Sequence, residues 1–552
     1  MARSIQSGLF RFCSSRKTMP VIDIVTMRGE MPRVEPHLLS DEVAVTAKDC
    51  HFDSGVICPF MGDTAEGALP VAAKTLFRYR DDVWFAWNKV VEVMRSPVAQ
   101  DPYGRVYYTD GDYPKVTTAA IATSGASRPT AWYRLGVVAP STPITIKAVT
   151  PPAGMNDDNA TDDVTRFYVE TYVTGTGEEG PPGPASAEVT IAIPGSSVTL
   201  TLQPPGSSDR NITSRRIYRS VSGAGVADYL LVVELPIATG TYVDSKDDAS
   251  LSATLETYDY LPPPDNMRGI CLMANGIAAG FAGNELLFSG AYLPYSWPKA
   301  NRLTTEHKIV AIAAIGTSLV VGTEGYPYVC SGVSPSSITA QKIDLQQACI
   351  SKQSMVAMDG LVLYASPDGL AGVGADGGRV VTEQIITREQ WQAMSPATLR
   401  GWYHEGKYIG QTDTHGFIYD PKSGDFRELS NRWDAAYNDM LRDELYLGKG
   451  MTLHRWRRDT GTTVDATWRS KVFTLPPGTS ISSAVLVADD VAKLAFKVWA
   501  DGSLLLSLPK GGVPATGFRL PASRATRWQI EVSGQSKVHR ITLASSMAEL
   551  NR

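Results

Sequence analysis

The chain has 552 residues, with 52 Lys and Arg against 57 Asp and Glu and a formal net charge of −5. Hydrophobic residues make up 43%, which excludes an intrinsically disordered chain and predicts several domains with their own cores. The longest apolar run, residues 309–322, is interrupted by Gly316, Thr317 and Ser318 and falls short of the roughly 18 residues of a membrane span. We therefore expect a soluble protein without a membrane segment.

The first segment of the chain, residues 1–18, is basic and carries no acidic residue. Its apolar stretch is too short for a secretory signal, so we expect a flexible arm, with Met19 as an alternative start of the protein. Six cysteines follow no Cys-x-x-Cys spacing, which disfavours a zinc ribbon or a redox motif. Cys50, His51 and Cys58 lack a visible fourth metal ligand, so buried, reduced thiols are expected.

Alternating apolar and polar residues recur along the chain and are bounded by turn residues. This pattern predicts strands, for example at 83–87, 105–109, 318–322 and 361–364. Helical spacing is scarce, and it predicts only short helices at 388–394 and near 433–441. The predicted fold class is therefore all-β.

An acidic section occupies residues 141–265, which hold 7 Lys and Arg and 17 Asp and Glu. Proline clusters flank it, at Pro140 and Pro143 and at 262–264, and such clusters indicate stiff connections. Short strands inside it predict an inserted domain of the immunoglobulin or fibronectin type III class.

The section from 266 to 465 repeats a strand–turn–strand unit at a spacing of roughly 40 residues, which is typical of β-propeller blades. Residues 75–114, within the N-terminal segment 19–140, predict a further blade, so the ring would close with sequence from both sides of the insertion. The repeated units lie at 276–289, 309–332, 355–374, 401–419 and 438–456.

The C-terminal section, residues 466–552, predicts a compact β-sandwich-like module. Residues 451–552 hold 14 Lys and Arg against 7 Asp and Glu. This basic end could dock on the acidic insertion or on a neighbouring copy, or its charges could simply be solvated. Within it, Arg455, Trp456, Arg457 and Arg458 form a basic and aromatic cluster that we interpret as a possible subunit interface.

Motifs of catalysis and cofactor binding are absent or lack the required context. Two Gly-x-Gly-x-x-Gly matches, at 175–180 and 372–377, are not followed by the helix that a dinucleotide site needs. The chain has no Gly-x-Ser-x-Gly elbow, phosphate-binding Gly-Lys-Ser/Thr loop or His-Glu-x-x-His helix. We expect no catalytic residue and no cofactor, and we do not expect an enzyme.

Two groups of polar residues are interpreted as structural. One is a predicted hydrogen-bonded cluster on a single blade, formed by His404, His415, Asp413 and Asp420. The other is the acidic loop at 157–163, which lacks the alternating ligands and the glycine of an EF-hand. We therefore expect no metal site.

Several segments resemble the tail nozzle family of short-tailed bacteriophages, also called tail tubular or packaged-DNA stabilisation proteins. The resemblance is strongest at 361–370, continuing through 381–383 to 387–391, and extends over most of the chain. The other segments that carry it are 31–32, 47–59, 105–115, 168–184, 320–332, 518–521, 528–534 and 544–550.

The resemblance implies a structural virion protein, assembled in the bacterial host cytoplasm. It implies six copies in a ring below the head-to-tail adaptor, which continue the channel for DNA ejection and help to retain packaged DNA. The implied partners are other copies, the adaptor ring, tail fibre or spike proteins, and genomic DNA that passes without sequence recognition.

Two alternatives remain open at this point. One is a carbohydrate-binding or glycan-hydrolysing propeller, in which some of the 11 Trp and 23 Tyr would stack on sugars. Most of these aromatics, such as Trp84, Trp87 and Tyr364, alternate with apolar neighbours and are predicted to be core. The other alternative is a minor structural component of a long phage tail.

Overall fold

The structure, a computed structural model, describes residues 21–161, 163–206, 208–222, 227–456 and 461–550. The predicted flexible arm at 1–18 lies outside these residues. Strands dominate, as the all-β prediction requires, and no described helix is long and apolar enough to cross a membrane. The α-helices are Ala119–Ala122 and Arg388–Ala393, and the 3₁₀ turns are Asp157–Asn159, Asp248–Ser250, Lys299–Asn301, Pro335–Ser337, Lys352–Ser354, Pro396–Thr398, Val491–Lys493 and Met547–Glu549.

The described chain forms seven antiparallel groups of two to four strands that we call blades 1 to 7; blade 6 is part of a ten-stranded sheet, and the other six are separate sheets. Blade 1 has Thr75–Arg80 and Val83–Trp87; blade 2 has Glu92–Arg95, Val106–Thr109, Lys115–Thr117 and Tyr133–Arg134; blade 3 has Arg268–Leu272, Ala278–Ala282, Glu285–Phe288 and Arg302–Thr304; blade 4 has Ile309–Ile315, Ser318–Thr323, Tyr328–Ser331 and Thr339–Lys342. Blade 5 has Val356–Ala357, Leu361–Ser366, Gly369–Gly374 and Gly377–Val380; blade 6 has Arg400–His404, Lys407–Gln411, Gly416–Tyr419 and Phe426–Glu428; blade 7 has Ala435–Asp439, Glu444–Lys449, Thr452–Trp456 and, from the N-terminal part, Thr64–Ala68.

Hydrophobic cores lie between successive blades and close the ring into a β-propeller. Blade 7 packs on blade 1 through Leu76, Ala435 and Tyr446, and blade 1 packs on blade 2 through Phe85 and Tyr108. The remaining neighbours pack in the same way, from blade 2 to blade 7. Each blade has two apolar faces that are covered only by its neighbours, so closure of the ring is what buries them.

The strand Thr64–Ala68 completes blade 7 by pairing with Thr452–Trp456, nearly 400 positions away in the chain, with Ala68 opposite Thr452. The ring therefore closes with strands from both ends of the propeller sequence. This pairing removes the exposed edge that the third strand of blade 7 would otherwise present.

Two local predictions are wrong. Residues 75–114 do not form one blade, because blade 1 ends at Trp87 and blade 2 begins at Glu92. The predicted helix near 433–441 is the strand Ala435–Asp439, since pairing with Glu444–Lys449 overrides a weak helical pattern. The predicted helix at 388–394 is confirmed as Arg388–Ala393, where Thr387 and Gln390 form a capping box.

The insertion between blades 2 and 3 has its own sheets and its own core. Its fibronectin or immunoglobulin class stays a prediction. The first sheet has Thr145–Thr150, Ser197–Thr201 and Thr241–Asp244; a pair has Val164–Arg166 and Val189–Ile191; the third sheet has Tyr168–Thr174, Ile212–Ser222 and Ala227–Pro236.

The C-terminal section forms two sheets around one core, and it incorporates strands from the N-terminal part of the chain. The second of these sheets continues into blade 6, because Lys48 pairs with Glu428. The first sheet has Ile22–Ile24, Val538–Ala544, Ser483–Ala488 and Phe518–Arg519; the second has Ala44–Lys48, Ala466–Ser470, Arg527–Gly534, Leu494–Ala500 and Ser503–Leu508, with Phe473–Thr474 beside Arg527–Gly534. A separate hairpin joins Cys50–His51 to Cys58–Pro59.

Candidate functional site

The central opening of the propeller is lined by residues that lie in, or directly beside, each of the seven blades. Thr75, Glu92, Gly269, Ala311, Met355, Trp402 and Ala436 line a cavity of about 220 Å³ there. Lys74, Lys352 and Arg400 add positive charge at this cavity. Lys352 forms an ion pair with Glu92, and Glu92 Oε2 accepts a hydrogen bond of 2.7 Å from Thr109.

The charged side chains that line the central opening carry both signs. Its charged groups are amines, a guanidinium and one carboxylate, and the lining contains no His, Cys or Ser nucleophile with a base beside it. Across the described residues, no group of three or more His, Cys, Asp and Glu side chains could hold a metal ion.

A second polar site lies where the N-terminal strand Thr64–Ala68 completes blade 7. Asp63 immediately precedes that strand, and its Oδ1 lies 2.7 Å from Lys449 Nζ and 2.9 Å from Asn431 Nδ2. Its Oδ2 lies 2.6 Å from His454 Nδ1. Burial works to raise the pKa of Asp63, but the hydrogen bond and charge of Lys449 outweigh it, and the pKa lies below its ordinary value.

Replacing Asp63 with Asn is expected to lower the free energy of unfolding at pH 7 by about 1–3 kcal/mol, because the partly buried ammonium of Lys449 loses its counter-ion. Since folding lowers the pKa of Asp63, its stabilising contribution is present above the ordinary carboxyl value of 3.8 and is lost as pH falls below it. The free energies of unfolding of wild type and variant, measured with urea between pH 7 and pH 3, should converge at the acid end. Asp376→Asn, in an exposed turn, is the control. If the free energies of unfolding of Asp63→Asn and wild type differ by the same amount at every pH, the stabilising role of the Asp63 carboxylate is contradicted.

The junction between insertion and propeller is a third polar site. Glu178 of the insertion is 5% exposed, and its Oε1 lies 2.8 Å from Arg105 Nη1 of the propeller. Tyr107 donates its hydroxyl to the same oxygen at 3.4 Å. Arg105 is held in turn by Asp101, at 2.8 Å from its Nε, so the contact is a buried network rather than a surface ion pair.

Backbone contacts extend this junction. Arg210, which is buried, donates from Nη1 to the carbonyls of Leu135 and Gly136. Gly136 has φ +84 and lies so close to Pro262 that a Cβ would come within 2.7 Å of its Cα. The chain segments that lead into and out of the insertion therefore lie against each other, and the insertion is fixed to the propeller rather than tethered by a hinge.

The residues predicted to form a subunit interface occupy different environments. Trp456 is 7% exposed, donates its indole N–H to the Met61 carbonyl at 2.7 Å and packs on Phe60 and Trp433. It is a core residue between blades 6 and 7, so the expectation that it is a surface anchor is wrong. Arg457 and Arg458 lie outside the described residues.

Arg455 is engaged within the chain. It lies 2.6 Å from Glu66 and 3.5 Å from Glu444, which joins the N-terminal strand to blade 7. A role of Arg455, Arg457 and Arg458 between subunits stays a prediction.

The predicted single cluster of His404, His415, Asp413 and Asp420 is not formed. The register of blade 6 places His404 opposite Lys407, whereas Gln411 and Gly416 pair at the other end of the blade. His404 and Asp420 therefore lie at one end, and Asp413 and His415 at the other. His404 bonds to Asn438 at 3.0 Å, and His415 bonds to Thr414 at 2.8 Å.

The other sequence motifs have structural roles. The second glycine match joins Gly369–Gly374 to Gly377–Val380 in a hairpin, as predicted. The described cysteines are free thiols, of which Cys271 is half-buried and the others are buried. Burial raises the pKa of the Cys271 and Cys330 thiols to about 12, so both remain protonated near neutral pH.

Comparisons with known proteins give no family. No family model matches the chain, and no curated protein matches it. Among solved structures, it is similar to the Pan2 WD40 domain of Neurospora crassa, at 7% identity over 48% of this chain and 84% of that one, with a TM-score of 0.24. It is also similar to YCF48 of Cyanidioschyzon merolae, at 11% identity over 48% and 95%, with a TM-score of 0.27, and to Hsv2 of Kluyveromyces lactis, at 8% over 39% and 69%, with a TM-score of 0.24. All these TM-scores lie below 0.5, and the propeller is defined by its own sheets and cores.

Proposed function

We propose that the protein is a subunit of the hexameric tail nozzle ring of a short-tailed bacteriophage. In this role it continues the DNA ejection channel below the head-to-tail adaptor and helps to retain packaged DNA. Tail fibres or spikes are the further proposed partners.

The proposal rests on the family resemblance at 361–370 and 387–391. In the structure, these two segments form one unit. Trp391 is fully buried and donates its indole N–H to the Ser366 carbonyl at 2.8 Å. Arg388 lies 2.6 Å from Asp368 in the turn of the same hairpin. Residues that resemble the nozzle family are thus joined by direct contacts, as expected if the resemblance reflects a shared blade structure.

The architecture suits a load-bearing ring component. The insertion is fixed by the Arg105–Glu178 contact, and the N-terminal part is integrated into blade 7 and into the C-terminal sheets. The central cavity of the propeller, at about 220 Å³, is far too small for a DNA duplex. In a nozzle, the channel would therefore lie between copies and not inside one propeller.

The charge distribution supports contacts between copies. The insertion at 141–265 has ten more acidic than basic residues, and residues 451–552 have seven more basic than acidic ones. Complementary surfaces on different parts of one chain favour a head-to-tail contact, which closes into a ring when the rotation allows it.

The test is the mass and symmetry of the purified protein, measured by light scattering and negative-stain imaging, alone and with purified adaptor rings. We expect a six-fold ring with a central channel, formed alone or on the adaptor, whose assembly weakens as salt rises from 50 to 500 mM. A stable monomer that ignores the adaptor under all these conditions would contradict the proposal.

The carbohydrate alternative is less well supported. Trp87 and Tyr364 are core residues, as predicted, whereas Trp84 is half-buried and packs against the core between blades 7 and 1. Trp499 lines a groove of the C-terminal section with His37 and Gln529, but its ring is covered by the guanidinium of Arg469, at 4.3 Å from the ring centroid. That face is not free to stack on a sugar.

A further inference from the structure

The central opening of the propeller carries more positive than negative charge. Lys74, Lys352 and Arg400 line it, together with one carboxylate, that of Glu92. Three cations and one carboxylate leave an excess of two positive charges around a cavity of about 220 Å³, which has room for a group of several heavy atoms. Walls of low dielectric strengthen the potential of charges that are clustered in a cleft. The opening therefore attracts anions.

The fold places two of these cations next to each other. The Ser351 hydroxyl donates to the Leu399 carbonyl at 2.5 Å, so Lys352 and Arg400, the next residues of the two segments, lie side by side. Arg400 also donates from Nη1 to the Asp434 carbonyl at 3.4 Å. Its guanidinium thus extends from blade 6 to the start of blade 7.

Lys74 approaches the opening from blade 1. It immediately precedes the strand Thr75–Arg80, and its neighbour Ala73 is buried with Ala435 in the core between blades 7 and 1. Lys74 and Arg400 therefore line the opening on either side of the first strand of blade 7, from which Ala436 contributes to the same lining.

The one carboxylate of the lining is already engaged. Glu92 forms an ion pair with Lys352. Its Oε2 also accepts hydrogen bonds from the Thr109 hydroxyl at 2.7 Å and from the Gly269 N–H at 3.3 Å. These donors hold Glu92 on the side of blades 2 and 3, away from the remaining two cations.

Lys74 and Arg400 form no ion pair with any described residue. A further cation lies close by, because burial and then the charge of Arg400 lower the pKa of Arg432. Asp413 works to raise the pKa of Arg432, but it is exposed and does not line the opening. The positive charge of the opening is thus not neutralised by the carboxylates around it.

We propose that the central opening binds one tetrahedral dianion of the phosphate class, held by Arg400, Lys74 and Lys352. Such an ion matches the excess of two positive charges, and guanidinium and ammonium groups are favoured donors to phosphate oxygens. The side-chain amide of Gln353 is a further donor in the lining. The ligand is a free ion, since a DNA duplex does not fit the opening, and the site does not depend on the proposed nozzle function.

The experiment is isothermal titration of sodium phosphate into the full-length protein at pH 8, with sodium chloride keeping the ionic strength constant. We expect one saturable site per chain with a Kd of about 1 mM or below. Sulfate, which has the same shape and charge, should compete, whereas acetate should bind at least tenfold more weakly. Wild type without saturable binding up to 20 mM phosphate would overturn the proposal.

Variants of the lining should change the affinity in opposite directions. Arg400→Gln should weaken phosphate binding at least tenfold and Lys74→Gln about threefold, whereas Glu92→Gln should tighten it about threefold, because it releases Lys352. Arg379→Gln removes the same charge at an exposed position in the last strand of blade 5 and should leave the affinity unchanged. Equal affinities of wild type, Arg400→Gln and Glu92→Gln would overturn the proposal.

A nucleic-acid competitor tests the nature of the ligand. A short DNA duplex added at the same ionic strength should not displace bound phosphate, because its backbone cannot enter the opening. Displacement by the duplex would show that these cations belong to a surface for nucleic acid, and it would overturn the assignment of a free ion.

Discussion

Replacing Arg219 with Met is expected to destabilise the insertion by about 3–5 kcal/mol, the usual cost of removing one partner of a buried ion pair. Arg219 and Asp244 both have fully buried side chains, and their charged atoms lie 2.6 Å apart. Without the guanidinium, the hydrogen bonds left to the Asp244 carboxylate among the described residues come from the Tyr168 hydroxyl at 2.8 Å and the Lys246 backbone N–H at 3.1 Å. Two neutral donors do not compensate a buried negative charge.

The measurement is urea unfolding combined with limited proteolysis and mass spectrometry of the fragments. In Arg219→Met, cleavage should begin within residues 145–244, while fragments of blades 3 to 7 persist. Arg166→Met is the control, because Asp248, at 3.7 Å and half-exposed, is its one ion-pair partner among the described residues, and loss of so long a pair should cost less than about 1 kcal/mol. The double change Arg219→Met with Asp244→Leu should recover part of the lost free energy of unfolding. An unchanged urea midpoint for Arg219→Met would contradict the prediction.

Local sequence pattern was sufficient for the middle of the propeller. In blades 3 to 6, strands that are consecutive in the chain pair with one another, so alternation and turn residues within roughly 40 residues contain the information for each blade. The same local logic identified the capped helix that begins after Thr387.

Pairing over long distances could not be predicted in this way. The closing strand Thr64–Ala68 has the sequence Thr-Ala-Glu-Gly-Ala and is exposed along its length, so it carries no alternation that would mark it. The strand Ile22–Ile24 is three residues long and finds its partner, Val538–Ala544, at the far end of the chain. The position of each strand is set by the sheet edge with which it pairs, and not by an alternating pattern in its own sequence.

The polar sites were missed for a related reason. The loop at 175–180 was singled out by its Gly-x-Gly-x-x-Gly match, and a dinucleotide site was disfavoured there because no helix was expected to follow. The sequence does not show that Glu178 meets Arg105 of blade 2, while Glu179 meets Arg216 and Tyr218 of the insertion. Such partners become visible only when the fold brings distant segments together.

Replacing Arg105 with Met is expected to loosen the insertion from the propeller while both remain folded. Glu178 would be left buried with the Tyr107 hydroxyl at 3.4 Å as its remaining polar side-chain contact, and a stranded buried charge costs about 3 kcal/mol. That cost falls on the docked arrangement, because Glu178 regains water when the two parts separate, whereas the cores on either side of the junction are unchanged.

Hydrogen–deuterium exchange separates this outcome from global unfolding. In Arg105→Met, exchange should rise at 134–137 and 174–180 by at least tenfold, with no change in blades 4 to 6. Tyr107→Phe, which keeps the ion pair, is the matched control and should change exchange little. If Arg105→Met exchanges like wild type at both segments, the ion pair does not hold the junction.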